Sequence, residues 1–169
     1  MSTMDMLKRA LSGDDADRED ADILATLKQD HEDVAEMLEK LVESTTAAQR
    51  KSLLTSIKTA LVPHLRAEEK VVYDAVGQLL GKEQKVHSEE GYLEHALSDK
   101  MLRQLGKMKD MAAPEFTAGA KVLKELIEHH VEEEEKNIWS DVEEHFSDED
   151  RAAMNRKFLA AKKRVKAPA

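Results

Sequence analysis

One pattern occurs twice in this chain, and it constrains the fold more than any other feature. His31 is followed 33 residues later by His64, with Glu68 four residues beyond; His95 is followed 35 residues later by His130, with Glu134 four residues beyond. Each HxxxE pair runs into a matching tail, EEKVVY ending at Tyr73 and EEKNIW ending at Trp139. Both copies lie in segments of helical periodicity, where residues four apart share a face, so each repeat reads as a helix pair offering two imidazoles and one carboxylate. Packed face to face, the two pairs would gather four His and two Glu into one interior site. That is the ligand set of a dinuclear metal centre.

The rest of the chain agrees with helices. Charged residues make up 36% of the 169 and aromatics only 4%, a balance that suits long amphipathic helices better than sheet. The length is that of about one domain with a core of its own. A net charge of −9 repels phosphate, so no nucleic-acid partner is expected. The chain has no cysteine, which excludes disulfides, thiolate catalysis and sulfur-ligated metal; imidazole and carboxylate are what remain to hold a cation. No apolar run has the length of a signal peptide core or a membrane span, so no membrane partner is expected and the compartment is taken to be cytoplasmic.

Along the chain, residues 1–20 read as an N-terminal arm with a short amphipathic helix over Met4 to Leu11, ended by Gly13 and an acidic linker. Residues 21–146 read as an all-α, up-down-up-down four-helix bundle. Its first helix spans about 21–43, with His31 inside a stripe of Leu27, Val34 and Leu38. Thr46 and Gln49 form a capping-box signature for the second, expected to continue to about Leu80, with Pro63 interrupting its stripe, kinking it and aiming His64. The third covers about 82–109, weakened by Gly91 and Gly106, and Pro114 opens the fourth, which frays near Phe146. Residues 147–169 form a short C-terminal helix capped by Ser147, with a basic tail from Arg156 to Lys166 read as a solvated helix end.

Burial is what lifts HxxxE above coincidence. Glu68 and Glu134 share faces with leucines and isoleucines, where an unpaired carboxylate costs several kcal/mol or takes up a proton, and a cation would offset that cost. The metal ligands expected are therefore His31, His64, Glu68, His95, His130 and Glu134. Glu69, Glu132, Glu133 and Glu135 are read as solvated acids. His129 with Glu133 also makes HxxxE, but the nine-residue step from His64 to Tyr73 is repeated from His130 to Trp139, which puts His130 inside and His129 outside. His87 and His145 are read as surface residues, and Tyr92 as packing that could reach an open coordination position.

The segments DHEDVAEMLEKL, PHLRAEEKVVYDAV, EHALSDKMLRQL and HHVEEEEKNIW resemble the haemerythrin-like, HHE cation-binding family over about residues 21–146. The resemblance implies a non-haem centre of two iron ions, oxo- or hydroxo-bridged, with manganese or zinc less favoured. It implies that His31 and His64 belong to one iron, His95 and His130 to the other, and that Glu68 and Glu134 bridge. Oxygen-carrying members place a second His four residues after the one on the third helix; here Asp99 stands there, which argues against simple oxygen carriage. The more symmetric set resembles the branch linked to iron sensing and to peroxide or nitric-oxide chemistry. The expected partner is a small diatomic or peroxide ligand, with peroxide decomposition as the candidate activity. A non-catalytic iron or oxygen sensor acting through a protein partner is the alternative, and a metal-free structural bundle the third.

Overall fold

The computed structural model describes residues 19–79 and 81–166, so the expected helix over Met4 to Leu11 lies outside the described residues. Every regular element among the described residues is helical. α1 is Ile23–Glu43, capped by Asp22, whose carboxylate accepts from the Leu24 amide at 2.9 Å. α2 is Ala47–Glu68, and both halves of the Thr46/Gln49 capping box are present. A π-helical turn, Glu69–Tyr73, and a short segment α3, Asp74–Gly77, continue the same rod. α4 is Lys82–Gly106, and α5 is Pro114–Glu133 with Pro114 in its first turn. A second π-turn, Glu134–Ile138, leads into α6, Trp139–His145. α7, Asp148–Arg164, starts at a Ser147/Asp150 capping box.

The first π-turn moves the expected interruption of the second rod. The α-helix continues through Pro63, and the change in hydrogen-bond register comes after Glu68. Both turns fall on the repeated EEK tails, directly after an HxxxE pair. A π-turn inserts one residue while leaving the next stretch of helix on its original face, and such insertions concentrate at functional sites.

Short connections make consecutive rods neighbours, and α1 also packs against α5, closing a four-rod ring. The core is split in two. One apolar cluster contains Val34, Leu38, Leu61, Leu102 and Ile127. The other contains Leu27, Val72, Ile138, Val142 and Phe158. In each long rod the step between clusters passes through a His or Glu, so a polar layer lies between two dry ends. α7 was expected as an appendage, yet its Met154, Phe158 and Leu159 are buried in the second cluster, packed on α1, α2 and the first π-turn.

Candidate metal centre

His31, His64, Glu68, His95, His130 and Glu134 are brought together in that polar layer, and all are at most 7% exposed. Two groups have donor atoms within 4.8 Å of one another: His31 with His64 and Glu68, and Glu68 with His95 and His130. Glu68 belongs to both. Its Oε1 lies 3.5 Å from His64 Nε2 and its Oε2 3.3 Å from His95 Nε2. Glu134 Oε2 spans the layer differently, 3.3 Å from His31 Nε2 and 3.9 Å from His130 Nε2.

Each imidazole turns Nε2 inward because Nδ1 is held from outside by a carboxylate. His31 Nδ1 meets Glu135 at 3.4 Å, His64 meets Asp30 at 3.0 Å, His95 meets Glu69 at 3.0 Å and His130 meets Glu94 at 2.7 Å. The arrangement is pseudo-twofold: the acid before each first His holds the second His of its own repeat, and the acid after each Glu ligand holds the first His of the other repeat. Such carboxylates fix the tautomer and ring orientation of a ligating His. Glu69 and Glu135 are therefore not merely solvated acids. The signal for all four lay in the sequence as two duplicated dipeptides, Asp30-His31 with Glu94-His95, and Glu68-Glu69 with Glu134-Glu135.

Inward, part of the layer is left without hydrogen bonds. His31 Nε2, His64 Nε2, Glu68 Oε1 and both carboxylate oxygens of Glu134 are buried with no hydrogen-bond partner, although His31 Nε2 stands 3.3 Å from Glu134 Oε2. Buried polar groups are ordinarily satisfied, and leaving one unpaired costs about 1–3 kcal/mol. Five such atoms around one centre, all imidazole nitrogen or carboxylate oxygen, fit a hard-to-borderline cation.

Charge in the layer points the same way. Burial alone would strip the proton from His31, but the Glu134 and Glu135 carboxylates outweigh it and push the imidazole up to about 10. Glu68 and Glu94 do the same for His130, also to about 10. His95 is raised against its burial by Glu68 and Glu69. Burial works to protonate Glu68, yet His64, His130 and His95 hold it well below the ordinary carboxylate range. The layer therefore demands positive charge, which protons or metal cations can supply.

Tyr73 is the site residue that helical periodicity missed. Its hydroxyl lies 3.1 Å from His95 Nε2, 3.4 Å from Glu68 Oε2 and 3.5 Å from His130 Nε2. In an α-helix a residue five after Glu68 would point about 140° away; the π-turn brings it back over the carboxylate. A Cβ on Gly91 would stand 2.6 Å from the Tyr73 ring, so the glycine in α4 makes room for the phenol. Burial first, then the Glu134 and Glu68 charges, keep that phenol protonated far above its usual range. Trp139, its counterpart in the other repeat, instead stacks on His31 at 5.9 Å.

The remaining candidates fall outside. Tyr92 donates to the Glu69 carbonyl and Asp74 Oδ1, His87 pairs with Asp141 at 2.8 Å, and Asp99 is bound by Arg66 at 2.7 Å. His129 is exposed and touches Glu94, and His145 bonds the Asp141 carbonyl. Lys162, expected among solvated cations, reaches Asp30 at 2.6 Å and so extends the chain Lys162–Asp30–His64 into α7.

Comparison with known proteins agrees with this geometry. The chain is 26% identical over 150 residues to a protein of Nostoc sp. named DNA nickase, covering 89% of this chain and 42% of that one. It is 33% identical over 105 residues to an uncharacterized hemerythrin-like protein of Schizosaccharomyces pombe, covering 62% of this chain and 51% of that one. The chain thus spans about half or less of these relatives' lengths. No solved structure matches it significantly. A family model, the hemerythrin HHE cation-binding domain, matches residues 22–140, the stretch that carries every residue of the polar layer. The chain belongs to the hemerythrin HHE cation-binding domain family.

Proposed function

We propose that the chain is a non-haem di-iron protein that binds or consumes small oxidants: dioxygen, hydrogen peroxide or nitric oxide. In this reading His31 and His64 hold one iron, His95 and His130 the other, and Glu68 and Glu134 lie between them. The supporting observation is the set of five buried, unpartnered donor atoms facing one centre, on side chains already anchored from behind. Imidazole with carboxylate suits iron, manganese and zinc alike, and membership of the family favours iron. When bound, iron supplies the redox change and the open coordination positions. The chain's own residues do the rest. Four carboxylates aim the imidazoles, two apolar clusters keep bulk water out, and Tyr73 holds a proton on its hydroxyl beside Glu68, His95 and His130.

The test is a metal count with an absorption spectrum and oxygen evolution from hydrogen peroxide. Expected are two irons per chain, absorption in the near ultraviolet, and many turnovers that His64→Ala abolishes. Protein purified without stoichiometric iron, manganese or zinc refutes the reading.

A second reading, a non-catalytic iron or oxygen sensor, is favoured by one contact. Lys162 of α7 grips Asp30, which holds His64, so the C-terminal helix can register what the site contains. Chelation that exposes α7 to hydrogen exchange, in protein that never turns over peroxide, selects the sensor. For the activity named in the Nostoc relative, a net charge of −9 makes an unnicked supercoiled plasmid the expected result.

A further inference from the structure

α4 has two unlike faces. Gly91, His95, Ser98, Leu102 and Leu105 are buried against the bundle, and His95 serves the polar layer. About 140° round the helix, at 3.6 residues per turn, lies a stripe through Val86, Leu93 and Leu97. These three are 55%, 68% and 49% exposed, and they account for three of the four large exposed hydrophobics among the described residues. Three on one helix face are not the single scattered apolar residues that any surface shows.

Of the charges flanking the stripe, Lys82, Glu83, Glu89 and Glu90 lie toward the N-terminal end and Lys100 and Lys107 toward the C-terminal end, so acids predominate at one end and bases stand at the other. Among the described residues the side chains of Glu83, Glu90, Lys100 and Lys107 take part in no ion pair or hydrogen bond within the chain. A parallel copy of the helix would set acid against acid. An antiparallel copy about a twofold axis between Leu93 and Leu97 brings Glu90 to Lys100 and Glu83 to Lys107, with the leucines at the centre and Val86 opposite Gln104.

We propose that the outer face of α4 is a self-association surface, on which a second copy of this chain docks antiparallel with Leu93 against Leu97 of the partner subunit and Glu90 against Lys100 of the partner subunit. The same twofold sets Glu83 opposite Lys107 of the partner subunit. An isologous interface needs one self-complementary patch, and this helix face is one. Its apolar centre with a charged rim has the anatomy of a protein interface, and fixed charge pairs set its direction. His95 on the opposite face of α4 would then stand one helix width from the dimer axis in each copy.

Sedimentation velocity of the full, metal-loaded chain over about 1–100 µM tests this. A dimer whose fraction rises with concentration is expected. Leu93→Glu with Leu97→Glu should leave a monomer with unchanged helicity and metal content, because both side chains are exposed and neither belongs to an apolar cluster. Glu90→Lys alone and Lys100→Glu alone should each weaken association at least about tenfold, and together should restore it, since the swap preserves every pair. A wild-type chain monomeric throughout, or a dimer indifferent to Leu93 and Leu97, overturns the proposal. So does a double charge swap that fails to rescue.

Discussion

At the scale of single residues, the site depends on atoms behind the imidazoles as much as on the imidazoles. Asp30 shows this most clearly: burial works against its charge, but His64 and Lys162 hold its carboxyl far below the ordinary range. Asp30→Asn keeps the shape and removes the charge, so metal affinity should fall about 10–100-fold in a competition titration while helicity stays unchanged. Tyr73 carries a different role. If the protein consumes peroxide as proposed, Tyr73→Phe should leave the metal count intact and slow that consumption about tenfold or more in steady-state assays. Gly91→Ala should move the same ring by crowding rather than by deletion, at about 1–3 kcal/mol of stability in chemical denaturation. Retained wild-type turnover in Tyr73→Phe would remove the phenol from the chemistry.

At the scale of elements, the repeated EEK tails are where helical geometry is broken on purpose. Each π-turn keeps an HxxxE pair on one α-helical face and still returns the next aromatic to the site side of the rod. The far end of the bundle is fastened by another device. Arg50 is 4% exposed, and its guanidinium donates to the Ser44, Met111 and Ala113 carbonyls and to the Thr117 hydroxyl. It also covers the Phe116 ring at 5.1 Å. One buried cation thus ties the α1–α2 connection to the start of α5. Arg50→Ala strands three buried or half-buried carbonyls and should cost about 2–4 kcal/mol by denaturant titration, with metal binding preserved in the folded fraction.

At the scale of the whole molecule, a charged layer separates two apolar cores, and metal occupancy should govern the stability of the bundle. Because His31 and His130 are pushed up to about 10, they carry protons at neutral pH when no metal is bound. Metal binding must expel those protons, so affinity should rise with pH between about 6 and 8, with proton release detectable in weakly buffered solution. An affinity flat across that range would contradict the assigned protonation. Chelation should lower the melting temperature by an amount that grows with the free-metal concentration it replaces. Among the described residues no helix is long and apolar enough to cross a membrane.

The order of residues determined by itself the helical class, the capping at Thr46 and Ser147, the entry at Pro114, and the inward set of His31, His64, Glu68, His95, His130 and Glu134. Each of these derives from spacing along one helix, which 3.6-residue periodicity exposes. The tertiary structure alone decided which carboxylate stands behind which imidazole, that Tyr73 enters the site in place of Tyr92, and that α7 with Lys162 belongs to its wall. Those are contacts between rods, set by how far each is rotated and by one extra residue in a π-turn. Local periodicity carries no record of either, because the energy that selects them arises across the bundle and not along the chain.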